Sequence, residues 1–164
     1  MGSLKEKLWL DVSLLSADLA RLEAEIARLS PLADSFHFDV CDGHYAPRLF
    51  FFPDLVARLR PLTALPFHVH LMATRPQDLL DAFLQAGVDR VTVPLECGKR
   101  VWPALDLLRA RGKAAGISLE SDTPAELVKP FRSKVDTILL LGGAELDEGA
   151  CDRVTEVKTL LDGT

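Results

Sequence analysis

The stretch Phe36-His37-Phe38-Asp39-Val40 alternates apolar and polar side chains, and Phe67-His68-Val69-His70-Leu71 repeats the pattern further on. Successive side chains of a strand point to opposite faces, so His37 and Asp39 share one face, and His68 and His70 share another. The aromatic and aliphatic residues between them take the opposite side. Both runs are strands, and both carry polar pairs in mid-strand.

Those pairs discriminate between two architectures. Runs rich in β-branched and aliphatic residues recur at Leu8–Leu14, Ser35–Val40, Pro66–Leu71, Arg90–Val93, Lys113–Leu119 and Val135–Leu141. Helical spacing separates them: Leu19, Leu22, Ile26 and Leu29 form one face, as do Val101, Leu105 and Leu108, and Val154, Val157 and Leu161. Six βα units imply a parallel sheet with right-handed crossovers. A doubly wound sheet is covered by helices on both sides, where mid-strand polar pairs would be costly. A barrel takes such pairs on its inner face, towards the C-terminal strand ends. The expected fold is therefore an α/β barrel of the (β/α)8 type with about six units present. A full barrel needs about 200 residues or more, and this chain has 164. Residues 1–164 read as a single domain.

Punctuation supports the helices. Thr74-Arg75-Pro76-Gln77 and Thr123-Pro124-Ala125-Glu126 read as capping boxes, and Ser16 as the cap of the first helix. Gly87 and Gly112 fall where a left-handed helix stop is wanted.

Composition excludes several function classes. With 48% hydrophobic and 26% charged residues the chain can bury a core, so disorder is not expected. A net charge of −5, without a basic cluster, argues against nucleic-acid partners and an anionic membrane surface. Cys41, Cys97 and Cys151 form neither a disulfide framework nor a zinc knuckle, and a cytoplasmic location is expected. Cys41 and Cys97 read as packed thiols. Trp9 and Trp102 read as core or interface residues.

The densest chemical signal is His37-x-Asp39 with His70. Adjacent parallel strands lie about 4.8 Å apart, so these groups can converge. Two imidazoles and a carboxylate suit one divalent Zn, Fe, Mn or Co ion better than Mg or Ca. The same spacing is met by two core histidines with Asp39 paired to one of them. Asp39 is the candidate general base, and Ser13 a candidate substrate contact. Asp42 and His44 are expected to fix the turn after the strand. Gly142-Gly143 reads as a strand-to-helix turn or an amide cradle.

Several blocks resemble the ribulose-phosphate 3-epimerase family. They are Ser13-Leu14-Leu15-Ser16-Ala17-Asp18-Leu19, His37-Phe38-Asp39-Val40-Cys41-Asp42-Gly43-His44-Tyr45-Ala46-Pro47 and His68-Val69-His70-Leu71-Met72. Ala86-Gly87-Val88-Asp89, Ser121-Asp122-Thr123-Pro124 and Val135–Leu141 continue the match in order. The resemblance implies a ribulose-phosphate-binding barrel that interconverts D-ribulose and D-xylulose 5-phosphate by inverting C3. It implies two-base proton transfer through a metal-stabilised enediolate. By position, His37, Asp39 and His70 match metal ligands, Asp39 an acid/base, and Ser13 and His70 substrate-contacting positions. The family's second Asp belongs to a seventh strand. Its Gly-rich phosphate loop after strand six has no counterpart beyond Gly142-Gly143.

This chain departs from the family pattern at Val12, Cys41, Arg48, His68 and Pro94, all near the site. Thr74-Arg75-Pro76-Gln77-Asp78 resembles the branch acting on allulose 6-phosphate, so a hexulose 6-phosphate is the alternative substrate. A non-catalytic sugar-phosphate-binding relative is the alternative outside enzymes. A six-unit barrel would leave two open sheet edges, and two further units outside these residues are expected to close it. If the edges are real, a homo-oligomer is expected.

Overall fold

The computed structural model describes residues 9–142 and 148–162. Six parallel strands lie in chain order in one sheet: β1 Asp11–Ser13, β2 Ser35–Cys41, β3 Phe67–Met72, β4 Arg90–Pro94, β5 Ala114–Leu119 and β6 Thr137–Leu140. Among the described residues, five α-helices pack outside: α1 Leu22–Leu29, α2 Pro53–Leu59, α3 Gln77–Gln85, α4 Val101–Ala110 and α5 Glu148–Asp162. Sequential order with crossovers on one face is the arrangement of a (β/α) barrel opened between β1 and β6. The expected barrel class is therefore observed, with six of its units.

The alternation read from β2 and β3 explains the layering. Phe36, Phe38, Phe67, Val69 and Leu71 are fully buried beneath the helices. Phe67 meets Phe36 edge-on at 6.4 Å, and Phe38 lies 4.7 Å from it. Ile26, Val56, Leu80, Phe83, Leu105 and Leu108 close the layer from the helix side. Burying a large apolar side chain contributes about 1.5–3 kcal/mol, so this outer shell holds the strands while their inner face stays polar.

The floor of the barrel has a recurring device that local patterns do not reveal. Asp34, Asp89 and Asp136 each stand one residue before a strand and accept a backbone N–H at or next to the start of the preceding strand. The donors are Leu10, Phe67 and Ala115, at 3.0, 2.9 and 2.8 Å. Gly87 turns with φ +88°, and Gly112 with φ +65°, as the helix stops require.

Several local expectations are corrected. Thr74 and Thr123 cap nothing: their hydroxyls donate instead to Asp42 and Glu96, carboxylates from neighbouring units. The segment after β5 is a 3-10 turn over Ala125–Phe131 rather than an α-helix, because Pro130 lies inside it and lacks the N–H a longer helix needs. Ser16 lies within the 3-10 turn Leu14–Ser16, whose cap is Ser13, and Asp18 caps the next turn. The first helix begins only at Leu22, so Leu19 is half exposed. β1, β5 and β6 run shorter than their apolar runs, β1 spanning three residues, and Leu8 lies outside the described residues. Trp9 is exposed, and Trp102 stacks on Phe131 at 4.4 Å at the surface. Among the described residues, no helix is long and apolar enough to cross a membrane.

Candidate active site and metal centre

The inner face of the barrel carries two polar tiers. The lower tier begins at Trp9, whose indole N–H donates to Ser35 Oγ at 2.9 Å. Ser35 donates to Asp11 Oδ1 at 2.7 Å, and His68 Nδ1 meets Asp11 Oδ2 at 2.7 Å. His68 Nε2 lies 2.6 Å from Thr92 Oγ1. Both ring nitrogens of His68 are thus engaged, and burial pushes its pKa below the ordinary value despite the Asp11 carboxylate. His68 is a structural histidine.

The upper tier holds the residues singled out from sequence. β2 and β3 pair in register with Asp39 opposite His70, which brings the two strands' polar faces together. Ser13 Oγ donates to Asp39 Oδ2 at 3.1 Å. His37 Nδ1 stands 3.4 Å from Asp39 Oδ2, and His70 Nδ1 3.3 Å from Asp39 Oδ1. Burial alone would disfavour the Asp39 carboxylate, yet the His37 and His70 imidazoles facing it outweigh that. The carboxyl is held well below the usual range and is ionised at neutral pH.

One ligand atom each from His37, Asp39 and His70 can be chosen within 4.8 Å of one another. Two features of the geometry suit a cation. His37 Nε2 is buried and meets no partner, which an imidazole in a closed hydrogen-bond network would not leave. The 3.3 Å separation of His70 Nδ1 and Asp39 Oδ1 is long for a charge-assisted hydrogen bond, whose N···O distance is about 2.7–2.9 Å. Ligand atoms about 2.1 Å from a tetrahedral ion lie about 3.4 Å from each other. The donor set of two imidazoles and one carboxylate fits a divalent transition metal or zinc.

The surrounding loops are tied to one another. Asp42 fixes the turn as expected, accepting from His44 N and Tyr45 N at 2.8 and 2.7 Å, and it also receives Thr74 N at 3.0 Å. Tyr45 donates to Glu120 Oε1 at 2.9 Å, joining the β2 loop to the β5 loop. Burial, with that carboxylate beside it, pushes the phenol above its ordinary pKa, so it remains a donor. Arg153 of α5 binds the carbonyls of Ser121, Glu120 and Thr123. Cys97 is a packed thiol, as expected, donating to Ala73 O, and burial raises its pKa to about 11. Gly143 lies outside the described residues.

Asp11, Thr92 and Ser118 were not singled out from sequence. Ser118 Oγ lies 2.9 Å from His70 Nε2, behind the candidate ligand. Their signal was available: each is a polar strand residue of the inward parity, like Ser13 and Asp39. Only strand register shows which histidine each one meets.

Residues 9–163 match the family model described as ribulose-phosphate 3 epimerase. The chain belongs to the ribulose-phosphate 3-epimerase family. Its relatives include the ribulose-phosphate 3-epimerase of Bacillus subtilis, 34% identical over 157 residues, covering 92% of this chain and 72% of that protein. The one from Rhodospirillum rubrum is 40% identical over 131 residues, covering 79% and 58%. The one from Treponema pallidum is 39% identical over 130 residues, covering 79% and 60%. The matches to the last two span about three-fifths of the relative's length. Among solved structures, a tryptophan synthase α-subunit variant from Pyrococcus furiosus aligns with a TM-score of 0.69 at 14% identity, covering 92% of this chain and 75% of that one. At that identity the likeness is one of fold, and it supports a TIM-barrel-like architecture for this member of the epimerase family.

Proposed function

We propose that this epimerase-family chain carries the metal-binding half of a site that inverts C3 of a ketose phosphate, interconverting D-ribulose and D-xylulose 5-phosphate. The observation that carries the reading is Asp39: an ionised carboxylate held between two imidazoles on the inner face, at the end of the barrel where such folds do chemistry. His37, Asp39 and His70 would hold one divalent ion of the Zn, Fe, Mn or Co type. When bound, that ion supplies positive charge next to the oxygens that become negative as the C3 proton leaves.

The chain's own residues then have separate tasks. Asp39 takes the C3 proton on a carboxylate oxygen, and its depressed pKa keeps it deprotonated and ready at neutral pH. Ser13, whose hydroxyl donates to Asp39 Oδ2, orients that carboxylate and lies beside the substrate. His70 flanks Asp39 from β3 and borders the substrate position. Return of a proton to the opposite face needs a second acid. Family resemblance puts that Asp on a seventh strand, in one of two further βα units that would complete the single barrel domain beside β6. Without those units, the apolar β6 edge favours association of copies. The free thiols suit a reducing cytoplasm.

The hexulose 6-phosphate substrate stays as the second reading, because Thr74 caps no helix and its run is not explained by capping. The test is solvent-deuterium exchange at C3, followed by proton NMR, with the purified protein and Zn, Fe, Mn or Co ions. Ribulose 5-phosphate is expected to exchange its C3 hydrogen, and Asp39→Asn to abolish the exchange. Exchange only with allulose 6-phosphate would select the second reading. Binding of sugar phosphate without exchange for either ketose would replace the epimerase reading with a binding role.

A further inference from the structure

The two buried histidines of β3 are built alike on one side and differently on the other. Each has a hydroxyl on Nε2: Thr92 at 2.6 Å from His68, and Ser118 at 2.9 Å from His70. Each has a carboxylate on Nδ1, but Asp11 approaches His68 to 2.7 Å while Asp39 stays 3.3 Å from His70. His68 Nδ1 is at charge-assisted hydrogen-bond distance from its carboxylate, and His70 Nδ1 is not.

A neutral imidazole offers a lone pair on one nitrogen and a proton on the other, and the partner of one nitrogen sets the role of its neighbour. His70 is 1% exposed and Ser118 fully buried, so solvent does not compete for Nε2. We propose that Ser118 is a positioning residue of the metal centre: its hydroxyl accepts the Nε2–H of His70 and commits Nδ1, facing Asp39, to the ion. This inference rests on the metal reading given above. It assigns a role to a β5 residue that touches neither substrate nor ion. It also accounts for a hydroxyl on an inner face where β5 otherwise contributes Ala114 and Gly116.

The test titrates Zn²⁺ into the purified full chain in competition with a chromophoric chelator. Ser118→Ala is expected to weaken Zn²⁺ by about 10–100-fold, the range typical of partners behind a metal-ligating histidine. Ser118→Thr, which keeps the hydroxyl, is expected to restore most of that loss. In parallel, nitrogen-15 NMR of the Zn²⁺-loaded wild type is expected to show the His70 proton on Nε2. Equal affinity of wild type and Ser118→Ala would overturn the role of Ser118 and leave the metal reading standing. A wild type that binds no Zn²⁺ would overturn the metal reading, and Ser118 with it. Should Ser118→Ala not fold, the wild-type spectrum decides alone, and a proton on Nδ1 refutes the proposal.

Discussion

Gly116→Ala tests the tightest close approach in the barrel interior. A Cβ built on Gly116 would stand 2.6 Å from Thr92 Oγ1 and 3.1 Å from the carbonyl oxygen of Thr137. Thr92 is fully buried, and its hydroxyl is the partner of His68 Nε2. A threonine has few χ1 wells to move into, so the new methyl must push the hydroxyl off the imidazole. Overpacking costs about 1–3 kcal/mol, and leaving a buried imidazole nitrogen unpaired costs about 1–3 kcal/mol more. The expected loss is about 2–6 kcal/mol. At a urea dependence of about 2 kcal/mol/M, that lowers the unfolding midpoint by about 1–3 M.

The cause is isolated by a double-mutant cycle. In a Thr92→Ala background the 2.6 Å clash disappears and only the 3.1 Å approach to Thr137 remains, so Gly116→Ala should then cost about 1 kcal/mol or less. Urea unfolding of the four proteins, followed by circular dichroism, measures the coupling. Costs that add to within about 0.5 kcal/mol would show that Thr92 and His68 do not set the requirement for glycine.

Three further outcomes are expected. At pH 8 a chromogenic disulfide reagent should modify exposed Cys151 quickly, whereas buried Cys41 and Cys97 react only on unfolding; rapid release of more than one thiol equivalent contradicts the packing. Asp39 has a depressed folded pKa, so its contribution is complete above the unfolded value of about 3.9 and is lost as pH falls through the lower folded one. Stability of Asp39→Asn should therefore fall less steeply than wild type below about pH 4, and parallel urea midpoints down to pH 3 would disprove it. Without metal, His37→Leu removes one unpartnered nitrogen and one long 3.4 Å pairing to Asp39, which keeps Ser13 and His70, and should cost about 1–2 kcal/mol, while His68→Leu removes the 2.7 Å partner of Asp11 and the partner of Thr92 and should cost about 2–4 kcal/mol. Thermal melts that rank the two the other way would reject the assignment of His68 as structural.

The barrel class was legible because period-two alternation puts His37 with Asp39, and His68 with His70, on one face of its own strand without any knowledge of neighbours. The same parity picked out His37, Asp39 and His70, which the fold brings together. Helix caps were misread for a physical reason: a capping box is a local pattern, but Thr74 and Thr123 are each captured by a carboxylate that the fold brings from another unit. Pro130 stood in plain view within an otherwise helical run, and its missing N–H outweighed the apolar spacing. Ser118 and Thr92 required the register of β3, β4 and β5 before either could be assigned to a histidine.

Burial does not separate the two kinds of histidine in this barrel, since His68 and His70 are 3% and 1% exposed. Saturation does. In the lower tier each group has a partner at 2.6–2.9 Å, from Trp9 through Ser35 and Asp11 to Thr92. In the upper tier the same residue types are spaced at 3.1–3.4 Å around Asp39, and one nitrogen has no partner at all. A buried polar layer left partly unsatisfied costs stability, and a sequence retains that cost where the unsatisfied groups serve a ligand. The satisfied tier beneath supports the ring of His37, which meets His68 edge-on at 4.8 Å. The lower network thus supplies rigidity beneath the proposed metal site.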